Sequence, residues 1–275
     1  MKKLISIILL SSMTACKSAP KVEAAAPPPP ALPTSIEEAV ASPYRSPENR
    51  PRDVYRHPVE TLNFFGLKPN MTVVEISPGT GWYMEILAPL LSANGQYIAA
   101  LPPSNNGGEM AKLNDKIAKW IQGHPELAPK ITTVSLAPPA DLVPAGTADM
   151  VLTFRNVHNW MAAGTAKDAF KAFYRALKPG GILGVAEHRL NAKAKQDPKA
   201  KSGYVSEAAV KKLAKQAGFK FVGSSEINAN PKDTKNYADG VWTLPPSYKL
   251  GDKDRAKYQE IGESDRMTLR FVKVK

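Results

Sequence analysis

The stretch Val73-Val74-Glu75-Ile76-Ser77-Pro78-Gly79-Thr80-Gly81-Trp82-Tyr83 decides the fold. A short apolar run that takes in an acid, then a small residue and Gly-x-Gly, then an apolar helical pattern, describes a buried strand turning sharply into a helix. Glycines in such a turn let the backbone approach a ligand closely, and the free amides at the helix start face it. Glu75, Ser77, Pro78, Gly79, Thr80, Gly81 and Trp82 are therefore expected around a bound nucleoside. A nicotinamide-binding turn requires a small residue three positions after its second glycine, for close helix–strand packing. Met84 stands there, which disfavours a dinucleotide dehydrogenase.

Working outward, strands are expected at 71–76, 96–101, 130–136, 148–154, 182–187, 219–226 and 267–274. Helices are expected at 59–66, 82–91 and 109–121, from Thr165 to the Pro179-Gly180-Gly181 stop, and from Ser206 to Gly218. Asp168 lies three residues after Thr165, which is capping-box spacing. Strands separated by helices predict an α/β fold, a doubly wound and mostly parallel seven-stranded sheet with helices on both faces. The glycine turn then lies at the carboxyl end of the first strand, where ligands bind in this architecture.

Glu75, Gly79 and Gly81 stand in register with motif I of class I S-adenosylmethionine-dependent methyltransferases, acidic-x-Gly-x-Gly-x-Gly, with Ser77 at the first glycine. Leu177 to Leu183 resembles the segment before their fifth strand. Together with Arg52–Pro58, Arg155–Trp160, Glu187-His188-Arg189, Glu226–Thr234 and Gly262–Phe271, residues 52–275 resemble a family of exported bacterial predicted methyltransferases of unknown substrate. The resemblance implies a Rossmann-like fold, S-adenosylmethionine as cofactor and a small-molecule substrate. Two positions depart from it. Tyr97 to Pro102 ends the second strand without the acid that usually grips the ribose hydroxyls, and Leu136 to Pro139 lacks the acid usual near the adenine, though Asp141 follows. These departures keep open a second function on the same fold, a binding or sensing lipoprotein with no cofactor or a different ligand.

Phe154-Arg155-Asn156-Val157-His158-Asn159-Trp160 crowds donors and acceptors into what reads as a loop at the end of the fourth strand. His158 is a general-base candidate because an imidazole titrates near neutrality, and a hydrogen-bonded structural histidine is the alternative. Asn156 would orient substrate, and Arg155, counted among the cofactor-binding residues, would pair with an anion. Glu187 and His188, at the end of the neighbouring strand, would supply further acid and base groups. A metal site from His158, Glu187, His188 and His57 uses suitable ligand types, but no close-spaced ligand motif supports it and no metal is expected. Tyr55, Arg56 and His57 read either as a segment docked on the sheet or as a lid over the cofactor.

At 275 residues the chain suits one domain, and 43% hydrophobic with 23% charged residues is the composition of a globular protein that folds in water. The net charge of +12 is spread among interleaved acids, which describes a solvated surface more than a polyanion site. Lys193–Lys201 and Lys211–Lys215 lack the aromatic interleaving of a single-strand nucleic-acid platform, so no nucleic-acid partner is favoured, and no protein partner can be inferred. Met1-Lys2-Lys3, the apolar Leu4 to Leu10 and the small residues before Cys16 read as a signal peptide over 1–15. Thr14-Ala15-Cys16 resembles a lipobox, so Cys16 becomes a lipidated amino terminus and a membrane anchor. An Ala/Pro-rich tether over 16–47 then leads to the domain at 48–275. By resemblance, Lys17 in place of aspartate directs the protein to the periplasmic face of the outer membrane.

Overall fold

The Val-Val-Glu-Ile run forms β1 (Thr72–Ile76) in the computed structural model, which describes residues 28–104 and 108–274. The signal peptide, Cys16 and the first part of the tether lie outside the described residues. Side chains of β1 alternate between two cores, as the two-residue period of a strand requires: Val74 and Ile76 join one apolar cluster, Val73 the other. Parallel neighbours flank it along both edges, and both of its faces are buried. They are β2 (Gln96–Leu101) on one side and β4 (Ala148–Phe154) on the other. With β3 (Ile131–Ser135), β5 (Leu177–His188), β6 (Phe219–Ser225) and β7 (Arg266–Lys273), the sheet has the order β3-β2-β1-β4-β5-β7-β6. β7 runs antiparallel to both its neighbours, and the other described pairings are parallel. The expected seven-stranded, doubly wound α/β sheet is therefore present.

The helices are α1 (Ile36–Ala41), α2 (Asp53–Arg56), α3 (Pro58–Phe65), α4 (Met84–Leu91), α5 (Glu109–Gln122), α6 (Val157–Ala163), α7 (Ala166–Ala176), α8 (Glu207–Ala217) and α9 (Arg255–Ile261). Residues of α1, α3 and α4 share a core with Val73, Tyr97, Ala99, Met150 and Leu152. On the opposite face α7 and α8 bury Phe170, Phe173, Val210 and Ala214 against Val74, Ile98, Val151 and Val185. None of the helices among the described residues is long and apolar enough to cross a membrane.

Four local expectations are corrected. The folded body begins near residue 34 rather than at 48, because Ser35 caps α1 by accepting from the Glu38 amide at 3.1 Å and Ile36 and Ala39 are buried. The same segment is held further on by Arg45, whose buried guanidinium grips both oxygens of Asp53 at 2.9 and 2.7 Å, and by Ser46, whose amide donates to Glu85 at 3.0 Å. Alanine and proline content hid a short amphipathic turn. The polar run after β4 is not an open loop, since Val157 starts α6. Thr165 occupies the cap position of α7 without a side-chain cap bond, whereas Ser206 caps α8 by accepting from the Ala209 amide at 3.2 Å. Finally, Pro179-Gly180-Gly181 lies inside β5, across a register shift against β4, and does not separate it from α7.

Gly184 in β5 sets how closely α3 approaches the sheet. A Cβ there would meet the Phe65 ring at 2.8 Å and Leu152 at 2.7 Å, and both partners are fully buried. Overpacking of this kind costs roughly 1–3 kcal/mol. Gly184→Ala should lower the unfolding free energy by that amount, seen as a lower chemical denaturation midpoint at an unchanged m-value; an unaltered midpoint would mean that α3 is free to shift.

Candidate functional site

Where β1 and β4 end, both chains turn through a left-handed residue that is not glycine. Ser77 has φ +49° and donates its amide to the Ala100 carbonyl of β2 at 2.9 Å; Arg155 has φ +60° and donates to the Ala186 carbonyl of β5 at 2.7 Å. The two exits are thus drawn apart, one toward β2 and one toward β5, and a crevice opens between them at the switch point of the strand order. The Asn156 amide group bridges its floor, donating to the Ile76 carbonyl at 2.9 Å and to Thr153 Oγ1 at 3.3 Å.

Two cavities meet over this crevice and share Ser77, Pro78, Gly79, Leu113 and Asn156. The larger, about 730 Å³, lies over β1 to β3 and is walled by Leu101, Pro102, Asn114, Ala137, Pro138 and Trp160. The smaller, about 330 Å³, lies on the β4–β5 side and carries Arg56, Arg155, His158, His188, Trp242 and Arg266. Gly79 has φ +63°, and a Cβ on it would meet nothing within 4 Å, so the turn leaves open space at the junction of the two. Among the described residues no carboxylate lines the larger cavity. Asp141, the acid that follows the end of β3, is paired with Arg175.

Of the other residues expected around a nucleoside, Thr80, Glu75 and Trp82 line the smaller cavity rather than the larger. Gly81 lines neither, and its Cβ position faces Ile117 at 3.4 Å. Trp82 is structural as well: its indole donates to the Asn49 carbonyl at 2.9 Å, and the guanidiniums of Arg45 and Arg56 lie 4.8 and 4.6 Å from its ring. Glu75 is buried and accepts from the Tyr97 hydroxyl at 2.6 Å. Burial pushes its carboxyl up to about 7, against the opposing pull of the Tyr97 hydrogen bond, Arg155 and Arg56.

His158, Glu187 and His188 are brought together as the sequence predicts. Glu187 is fully buried and lines neither cavity. One oxygen accepts from the Val157 and His158 amides at 2.6 and 3.4 Å, the other from the His188 amide at 2.8 Å and stands 3.0 Å from His158 Nδ1. With the carboxylate accepting, Nδ1 of His158 is the donor, and in the neutral ring Nε2 carries the lone pair. Glu187 therefore orients the His158 ring and faces neither cavity. His188 sits 5.4 Å from the His158 ring, and its Nδ1 contacts Ser264 Oγ at 2.5 Å. Burial, then His158 and the arginines Arg266, Arg155 and Arg56, hold its pKa well below the ordinary imidazole value, so it stays neutral. Ligand atoms of this trio lie within 4.8 Å of one another, whereas His57 faces Asn228 at 3.4 Å and lines a different surface depression. The N-terminal Tyr55 to His57 segment is docked: Arg56 is buried, and the Tyr55 carbonyl accepts from Arg266 at 3.0 Å.

Sequence reasoning missed the residues that β7 contributes. Because β7 is antiparallel, its first residue, Arg266, pairs with His188 at the last position of β5 and so joins the same sheet edge. Just ahead of it, Glu263 takes Arg52 at 2.6 Å, Arg56 at 3.4 Å and Arg266. Burial pushes the Glu263 carboxyl up, but Arg266, Arg56 and Arg52 together override it and hold it far below the usual range. The polar run Gly262 to Arg266 directly before an alternating strand was the available signal.

No protein-family model matches the sequence, and no curated protein matches it. Among solved structures the chain is similar to a SAM-dependent methyltransferase from Aquifex aeolicus, at TM-score 0.56 and 16% identity over 87% of this chain and 99% of that one. It is similar to phosphoethanolamine N-methyltransferase 2 of Haemonchus contortus, in complex with S-adenosyl-L-methionine, at 0.54 and 15% over 80% and 53% of the two chains. It is also similar to the 4+2 cyclase SpnF, at 0.54 and 15% over 87% and 91%. At these identities the likeness is one of fold: the chain has the Rossmann-like class I methyltransferase fold.

Glu75 gives a pH test of the site. An exposed carboxyl titrates near 4.5 and this one near 7, so the proton is held more tightly in the folded state. Its favourable contribution is complete below about pH 4.5 and is lost as pH rises through 7. Glu75→Gln keeps an acceptor for Tyr97 and should stabilise the protein by on the order of 3 kcal/mol at pH 8. That gain should vanish toward pH 4.5 in parallel thermal melts; a pH-independent difference would contradict the burial assigned to Glu75.

Proposed function

We propose that this protein is an S-adenosylmethionine-dependent methyltransferase acting on a small-molecule acceptor. One observation carries the reading: a large crevice over the glycine turn joins a smaller cavity whose far wall holds an imidazole already oriented by a buried carboxylate. The cofactor fits the larger crevice, because Gly79 leaves its junction open and Ser77, Asn114 and Asn156 offer polar groups where the usual ribose carboxylate is missing. Bound there, the cofactor supplies an activated methyl group on a sulfonium. His158 Nε2 takes the proton of the acceptor's nucleophilic atom, and Glu187 fixes the ring and stabilises the imidazolium that results. Asn156 and the arginines hold the acceptor against the turn, so that positioning provides much of the rate.

The N-terminal expectations belong to the same proposal. A signal peptide over 1–15 and a lipidated Cys16 would tether the enzyme to the periplasmic face of the outer membrane, with small molecules and the lipid surface as its partners. The absence of a carboxylate among the described residues of the larger cavity favours the second reading, a ligand-binding or sensing lipoprotein on this fold.

Calorimetric titration of the protein with S-adenosylhomocysteine separates the two readings: micromolar binding is expected, and no binding to a folded sample rejects the methyltransferase. Gly79→Arg should abolish that binding while leaving a cooperative thermal melt, because its side chain enters open space at the junction. His158→Ala should reduce turnover about 10²–10⁴-fold with cofactor affinity retained. Unchanged turnover, measured as methyl transfer once an acceptor is found, would remove His158 as the base.

A further inference from the structure

We propose that the smaller cavity is an oxyanion site, and that the molecule it takes is a small acid bearing a carboxylate or phosphate group. This rests on the assignment of that cavity to the acceptor side. Four guanidiniums, Arg52, Arg56, Arg155 and Arg266, line the cavity. The carboxylates that line it are Glu263, already shared among three of those arginines, and Glu75, half protonated near pH 7 and engaged by Tyr97. The cavity therefore carries a surplus of fixed positive charge.

Two of the arginines are also short of partners. Arg266 is buried, lines the cavity, and its Nε has no hydrogen-bond partner among the described residues. Arg155 forms no ion pair among the described residues, and burial followed by the charge of Arg266 lowers its pKa to about 10. Arg155 is only partly exposed, so its charge has lost part of its hydration without gaining a counterion among the described residues. An oxyanion accepting from Arg155 and Arg266 would satisfy both, in the fork geometry that guanidinium matches. The aromatic walls Trp82, Tyr83 and Trp242 leave room for a small organic body on that head group.

S-adenosylmethionine carries a sulfonium and an ammonium against a single carboxylate and is a net cation, so it cannot neutralise this cavity. A metal cation between His158 and His188 would meet the same repulsion. An acidic ligand beside the cofactor removes it, which predicts that the anion and the cofactor bind together and do not compete.

The test is calorimetric titration of the full chain with inorganic phosphate and with citrate, with and without saturating S-adenosylhomocysteine, in wild type, Arg155→Gln and the exposed control Lys212→Gln. Phosphate or citrate should bind the wild type and Lys212→Gln alike, at least about tenfold more weakly to Arg155→Gln, and S-adenosylhomocysteine should not displace them. If Arg155→Gln fails to fold, Arg52→Gln at the partly exposed rim carries the same expectation. Equal anion affinity in the arginine variants, or no anion binding to wild type, overturns the proposal. Competitive displacement by S-adenosylhomocysteine also overturns it, since the arginines would then hold the cofactor's own carboxylate. Anion binding with no S-adenosylhomocysteine binding keeps the oxyanion site and rejects the methyltransferase; the converse keeps the cofactor and rejects the oxyanion site.

Discussion

The carboxylate of Glu187 is the point on which the candidate site turns. It is fully buried at the end of β5, where an unsatisfied charge would cost several kcal/mol. Its oxygens are met by the first amides of α6, by the His188 amide and by the His158 ring. These contacts fix three things together: where α6 leaves β4, which way the His158 ring faces, and how β5 ends. Removing the carboxylate would loosen the helix start, the imidazole and the strand end at once. The neighbouring cavity depends on all three.

A second carboxylate, Glu263, organises the other wall by gathering Arg52, Arg56 and Arg266 from segments more than 200 residues apart in sequence. It cannot neutralise them. Like charges at close range in a partly dry cavity interact strongly, and they add to burial, the larger cause, in keeping His188 neutral and lowering the Arg155 guanidinium to about 10. Glu75 shows the converse limit. Even with arginines nearby it is pushed up to about 7, because burial outweighs their attraction. Desolvation is the largest cause at all three groups; the arginine charge reinforces it at His188 and Arg155 and opposes it at Glu75.

Much of this was legible in the chain. Short apolar runs located β1, β2 and β4, a one-sided apolar stripe located α5, the Ser206 cap and Gly218 bounded α8, and the glycine turn located the crevice, because those patterns are local. His158, Glu187 and His188 were legible for a related reason, since parallel strands in a doubly wound sheet deliver their carboxyl ends to one edge. Arg266 and Glu263 were not, since an antiparallel strand delivers its beginning to that edge and the strand order between β5 and β7 is not written in any local period. α1 was missed because Ala and Pro dominate its neighbourhood, while what makes it fold is a Ser35 cap and two buried side chains pressed on α4. The separate duties of Glu75 and Trp82, one hydrogen-bonded to Tyr97 and one in contact with two arginines, follow from tertiary contacts that a turn motif does not encode.

The left-handed residues at the two strand exits tie these strands of reasoning together. Ser77 and Arg155 each hold a conformation that costs a non-glycine residue roughly 1–3 kcal/mol, and such strain persists where the surroundings over-determine it. Here they do: each amide donates to a carbonyl of the outer neighbouring strand, and Asn156 joins the two exits across the gap. At Arg155 the turn has a further consequence. It puts a guanidinium with no counterion among the described residues on the wall of the smaller cavity, beside the His158 ring that Glu187 has already oriented. Strain in the backbone and unmatched charge in the side chain fall on the same residue, where a bound anion would relieve the charge and leave the backbone as it is. That is the arrangement of a preorganised site, whose energetic cost is met by the fold before the ligand arrives.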